Sequence, residues 1–287
     1  MKKTLLAVAA AAAFAASAEN AAAPKPRQEE GQDSLAAELA RRISFSAYAD
    51  VETAYLCRGR IYDTRPFAAQ SASFAADVNP AGILETSVWT YSPMSHDGFT
   101  GGVSRYAYAE IDYLLRYYYD IDIAEGWRLR NGLGRQWVTN PGFRGGHTVC
   151  DWQALQILKT PWITPYWRLR VIRRPFEETY WVAGVKRSFD LVDNLALTVD
   201  FYGDLGDRRH FMNIYHAESS GGWRGGLQAL SLVFRLDYKL TEHVGLYGFV
   251  GQFGVVSDKA RGAVKAASGP EARRDLTFGG VGVSVDF

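Results

Sequence analysis

The sequence predicts an all-β fold: a transmembrane antiparallel up-and-down β-barrel of about 12 strands. Three observations carry that expectation. The chain opens on an export leader, its body is one polarity-alternating segment after another, and it closes on "DLTFGGVGVSVDF". In that last segment Val281, Val283 and Val285 alternate with Gly282, Ser284 and Asp286, the pattern of a strand with two unlike faces, and the chain stops at Phe287.

The N-terminus, "MKKTLLAVAAAAAFAASAEN", sets Lys2 and Lys3 before an apolar run from Leu5 to Ala16, with a small-x-small site at Ala16-Ser17-Ala18. That is a secretory signal peptide, residues 1–18, too short in its apolar part to span a bilayer as a helix. Its two lysines leave with it, so 30 of the 32 basic residues remain against 31 acidic ones, a charge of about −1. Such a balance gives no reason to expect a nucleic-acid partner. Apolar residues make up 47% of the chain, yet the mean hydropathy is only −0.17, so apolar and polar residues are finely mixed. A membrane barrel needs that mixture, because lipid-facing and lumen-facing side chains alternate along each strand.

Residues 19–42 are rich in Ala, Pro and charge and read as a flexible periplasmic leader, with a short helix from Ser34 to Arg42; residues 43–287 form the barrel. Strands are expected at 43–59, 67–78, 82–93, 104–122, 127–140, 151–160, 164–174, 178–191, 195–206, 226–240, 244–257 and 275–287. The first puts Ile43, Phe45, Ala47, Ala49, Val51 and Tyr55 on one face; the fourth alternates Ala107 through Ile121 with charged residues over a length beyond that of ordinary globular strands. Short turns at 79–82, 123–126, 160–165, 192–194 and 241–243 alternate with mostly longer connections, of which 207–225 and 258–274 are the longest. That asymmetry, with an even strand count, places both termini on the short-turn, periplasmic side.

At "TAYLCRGR", Tyr55, Arg58 and Gly59 match a Tyr-x-x-Arg-Gly pattern. The chain thereby resembles the TorF-type porins, Gram-negative outer-membrane barrels with a comparable first-strand motif. The alternation ending at Phe287 likewise resembles the insertion signal read by the barrel-assembly machinery, with Val281, Val283, Val285 and Phe287 as its residues. The resemblance implies an outer-membrane location and a porin that passes small polar solutes by diffusion, with outer-membrane lipid and lipopolysaccharide around it. It names no solute.

If the apolar face is outward, the lumen receives Asp50, Glu52, Glu110, Asp112, Asp120, Arg128, Arg130, Arg168, Arg170, Lys186, Asp200, Arg235 and Asp237. Basic groups gather on strands five to eight, which would set a transverse field across enclosed water. The competing expectation is that these charges neutralise one another in a filled interior, for instance Asp120 against Arg128 across the 123–125 turn. Outward Trp89, Trp127, Trp137, Trp167 and Trp181 are expected in interfacial girdles.

Two other function classes have a foothold in the sequence. A closed structural or adhesive barrel would present the 207–225 connection, with Arg208, Arg209, Trp223 and Arg224, to a surface partner. A lipid hydrolase would need His216 to activate Ser219 or Ser220, a spacing that departs from the His-x-Ser-Asn-Gly element of barrel phospholipases. No catalytic residue, metal-ligand spacing or cofactor motif is identified. Cys57 and Cys150 are far apart in sequence, which leaves a disulfide and two free thiols both open.

Overall fold

The computed structural model describes residues 41–78, 81–94, 110–139, 148–174, 177–214, 225–266 and 273–287. The signal peptide and almost all of the 19–42 leader lie outside the described residues.

Twelve strands close into a single antiparallel barrel. They are β1 (Ile43–Glu52), β4 (Phe67–Asp77), β5 (Ile83–Pro93), β6 (Glu110–Ala124), β7 (Trp127–Thr139), β8 (Thr148–Lys159), β9 (Thr164–Arg174), β10 (Glu178–Val192), β11 (Leu195–Asp207), β12 (Gly225–Lys239), β13 (Val244–Val255) and β14 (Asp275–Asp286). Each has ten or more residues, enough for a tilted strand to cross a bilayer core of about 30 Å. Two further strands, β2 (Tyr55–Cys57) and β3 (Arg60–Asp63), form a separate hairpin between β1 and β4. Helices α1 (Arg208–Ile214) and α2 (Asp258–Ala266) follow β11 and β13.

Closure runs to the last residue. β14 pairs with β1 from Ser46↔Asp286 to Glu52↔Gly280. Phe287 then donates to the Phe45 carbonyl at 2.8 Å and accepts from the Phe45 amide at 2.9 Å. No polar strand edge remains at the seam, as a hydrocarbon surround requires. The Phe287 ring is exposed on the outer face, stacked 4.8 Å from His243. The outward face is apolar: Leu133, Phe234, Val250 and Val281 are all exposed on it, Val281 by 67%. Among the described residues no helix is long and apolar enough to cross a membrane.

The strand expected over 43–59 is two elements. β1 stops at Glu52, and the chain turns at Thr53 and Ala54 to enter the hairpin. Alternation continued past the true end because Tyr55 and Leu56 are themselves in a strand, but one that belongs to a different sheet. Tyr55 therefore lies inside the barrel, not on the lipid face. Trp89 is also inward. It shares the parity of Tyr91 and Glu85 on β5, and its ring lies 5.8 Å from that of Tyr55. Two connections expected as loops carry helices, because Phe211, Ile214, Ala260 and Val264 have an apolar core to bury into.

Candidate functional site

The lumen has two unlike halves. The inner end holds Ile43, Phe287 and the short turns; the outer end holds the longer connections. At the outer end the interior is filled. Inward side chains less than a tenth exposed come from strands all round, including Phe67 on β4, Asp151 on β8, Glu178 on β10, Phe253 on β13 and Phe278 on β14. What fills the space is the β2–β3 hairpin, with α1 and α2 beside it.

The hairpin turns through Arg58 and Gly59, both with positive φ (54° and 76°), between the paired residues Cys57 and Arg60. Positive φ at both central positions is the two-residue type I′ geometry whose twist suits antiparallel strands. Gly59 is needed twice over: a Cβ there would sit 2.9 Å from Cβ of Asp204 on β11. On one side Ala54 and Ile61 join Phe211, Ile214, Phe253, Val264 and Phe278 in an apolar cluster. Each large side chain fully buried in this way contributes roughly 1.5–3 kcal/mol. On the other side Tyr55 stacks on Tyr91 at 4.8 Å and donates to Glu110 at 2.9 Å.

Ionic groups fix the tip. Arg58 donates to Glu178 at 3.1 Å, and Glu178 also accepts from Asn213 of α1 at 2.9 Å. His210 of α1 lies against the same carboxylate, its Nδ1 3.5 Å away, and its Nε2 donates to the Arg58 carbonyl at 3.2 Å. The imidazole stacks on Tyr180 at 5.1 Å and occupies the space a Cβ on Gly206 would take. Arg60 donates to the Ile214 carbonyl. Below the tip, Arg170 forms a buried pair with Asp151, which also accepts from Gln153. Removing one member of such a pair would strand its partner in a dry site, which is why the cluster is stiff.

At the hairpin's base Asp63 accepts from the Arg65 side chain at 2.7 Å and from Tyr91 at 2.8 Å. Burial alone would raise its pKa, but the Arg65 hydrogen bonds outweigh it and hold the carboxyl below its usual range. Burial pushes the Cys57 thiol up, against the pull of neighbouring Arg58. Cys57 and Cys150 are both free, one inside the barrel and the other on the outer face.

The inner half is more exposed and its charges differ in kind. Asp120 pairs with Arg130 at 2.7 Å, Asp122 with half-exposed Arg128 at 2.6 Å, and Glu85 with Arg116 at 3.4 Å. The partner of Asp120 is thus Arg130 and not Arg128: the chain turns at Glu125 and Gly126, between the paired Ala124 and Trp127, later than the expected 123–125, which moves the register by one inward pair. Asp50 accepts from Tyr247 at 2.6 Å, Asp200 from Tyr166 at 2.9 Å, and Arg235 pairs with Asp237 while lying 3.8 Å from the Tyr247 ring centre. Glu52 and Asp112 are inward near the hairpin, where Asp112 accepts from Gln136. Among the described residues, Lys159, Arg168 and Lys186 are not within ion-pair distance of any carboxylate. With Arg128 and Arg130 they make a continuous basic arc on β7 to β10. A cavity of about 340 Å³ opens at the inner mouth, lined in part by Arg41, Arg42, Ser46, Ser73, Glu85 and Arg130.

Sequence reasoning missed Asp151, Glu178 and His210. The available signal was the run Leu56-Cys57-Arg58-Gly59-Arg60-Ile61, a tight turn between two short apolar stretches whose buried arginine must meet a carboxylate. His216, Ser219, Ser220, Trp223 and Arg224 lie outside the described residues. Arg208 and Arg209 begin α1, and Arg209 pairs with Glu177. Among the described residues no cluster of His, Cys, Asp and Glu could hold a metal ion.

No family model matches the chain, and no curated protein matches it. Among solved structures it is similar in fold to the KdgM porin, at 9% identity and a TM-score of 0.46 over 85% of this chain and 99% of that one. It is also similar to the COG4313 outer membrane channel from Pseudomonas putida F1, at 10% identity and a TM-score of 0.47 over 86% and 96%. A third likeness is to outer membrane phospholipase A from Escherichia coli, at 13% identity and a TM-score of 0.44 over 87% and 96%. These likenesses concern the barrel alone, so function is argued from the lumen.

Proposed function

We propose that this chain is an outer-membrane porin of the TorF type, admitting small polar or charged solutes past an inward-folded hairpin. Export is by the leader cleaved after Ala18, and insertion by the barrel-assembly machinery reading Val281, Val283, Val285 and Phe287. The observation that carries the reading is the basic arc of Lys159, Arg168 and Lys186 in the inner half, which makes no direct ion pair among the described residues although Asp120, Asp200 and Asp204 face it across the lumen wall. Charges left without ion partners on an enclosed wall need water, and a wetted lumen is a path for solutes. The Tyr55, Arg58 and Gly59 motif forms the hairpin, which gives the TorF-type resemblance a physical meaning. The basic arc favours anions, and Arg168 is the residue through which that preference acts.

A second reading, a sealed barrel that presents its outer connections to a partner, draws on the ring of buried side chains at the outer end. Planar-bilayer recording of refolded mature protein separates the two. Conductance steps with an anion preference that Arg168→Glu reverses support the porin. A folded barrel that stays silent in both the resting and the hairpin-deleted forms supports the sealed reading.

A further inference from the structure

Arg135 stands on the lipid face near the outer end of the barrel, where its outward neighbours are apolar or aromatic. Arg135 lies four residues below the outer end of β7, opposite Leu115 on β6 and Trp152 on β8. Its Cζ is 5.0 Å from the ring centre of Trp137 and 5.1 Å from that of Trp152. Nε donates to the Cys150 sulfur at 3.0 Å. Among the described residues nothing accepts from Nη1 or Nη2, which leaves four N–H donors unmet. The surrounding outward positions, Tyr113, Leu133, Ala154, Leu169 and Val171, hold no carboxylate. Arg173, exposed, follows two residues after Val171 on β9, one strand beyond β8.

Indole faces attract a guanidinium but do not accept its in-plane N–H bonds. At the edge of a hydrocarbon belt, water meets that need poorly, and an anionic oxygen meets it well. The planar fork matches the spacing of phosphate oxygens. The height of Arg135, near the outer end, places that phosphate in the outer leaflet.

We propose that Arg135, clamped between Trp137 and Trp152, binds a lipid A phosphate of lipopolysaccharide, with Arg173 as a second cation. This rests on the outer-membrane reading above. The test uses refolded mature protein in detergent micelles carrying either lipopolysaccharide or phosphatidylglycerol, with bound lipid counted by native mass spectrometry. Wild type should hold lipopolysaccharide about tenfold more tightly than Arg135→Gln, with partial recovery in Arg135→Lys. Dephosphorylated lipopolysaccharide should bind wild type as weakly as the intact lipid binds Arg135→Gln. Trp152→Leu, which keeps the charge and removes one wall, is the second variant and should lose several-fold. Equal binding of lipopolysaccharide by wild type and Arg135→Gln overturns the site. An equal loss for phosphatidylglycerol overturns the assignment to lipopolysaccharide. Heat-modifiable gel migration, read in parallel, reports the barrel itself: a wild type that shows none and needs no detergent sinks the membrane reading instead.

Discussion

The two halves of the lumen are built from the same residue types and do opposite things with them. In the outer half the arginines at and below the hairpin tip sit in buried pairs: Arg58 against Glu178, Arg170 against Asp151. In the inner half Arg128 with Asp122 is half-exposed, and Arg168 and Lys186 have no ion partner among the described residues. A buried pair is weak evidence for stability but strong evidence for one specified geometry, because breaking it is costly. A solvated charge costs little and is free to act on a passing ion. The difference teaches that the outer half is a stopper with a defined seat and the inner half is a vestibule. What joins them is the hairpin, whose two strands pair with each other and with no barrel strand.

The sharpest way to break that contrast is to unmatch the outer half. Glu178→Ala leaves Arg58 buried without its carboxylate, a loss of about 3–5 kcal/mol in seating. In a Cys150→Ala background, labelling of Cys57 by a membrane-impermeant maleimide should then accelerate about a hundred-fold or more. A labelling rate unchanged from wild type would mean that the pair does not hold the hairpin. Next in size is Gly59→Ala, which forces a Cβ into left-handed backbone and against Asp204. Strain of about 1–2 kcal/mol should raise the same rate about tenfold.

Effects in the inner half should be smaller and electrical. Arg168→Glu is expected to shift reversal potentials towards cation preference by a few-fold in permeability ratio, and Lys186→Glu to add to it. Arg128→Glu, half-exposed at the mouth beside Asp122, should shift them less. Equal shifts from Arg128 and Arg168 would put the selective zone at the mouth. The smallest effect is on pH. The Asp63 pKa is lowered in the folded state, so its contribution is full above the ordinary aspartate range and is lost as pH falls through the depressed value. Thermal unfolding between about pH 5 and pH 2 should therefore slope more steeply for wild type than for Asp63→Asn.

Barrel strands were legible because a period of two, sustained over Ile111 to Ile123 or Leu230 to Tyr238, has a single explanation when it recurs around a chain. Strand ends came within a few residues wherever a turn signal such as Asp193-Asn194 stood beside them. The hairpin was not legible. Tyr55 continues the alternation of β1, and although Arg58-Gly59 marks a turn, nothing local says that the chain has entered the lumen and changed partners. Trp89 misled for a related reason: an aromatic near a strand end fits an interfacial girdle, and only the pairing with Asp112 on β6 sets its face. The basic arc was legible on its own strands, but the pairing of Arg170 with Asp151 was not. It is a diagonal contact, with Asp151 opposite Ile172 and Arg170 opposite Gln153, and only the β8–β9 register brings the two together.

The central claim is that the folded-in hairpin is what closes the outer half over a conductive vestibule. Its most direct test is single-channel recording of a protein in which residues 54–65 are replaced by a short Gly-Ser link, beside the intact chain. The account predicts frequent, several-fold larger conductance steps in the shortened protein, with folding of both verified by heat-modifiable migration. A shortened barrel that folds and yet conducts no more than the intact one would contradict it.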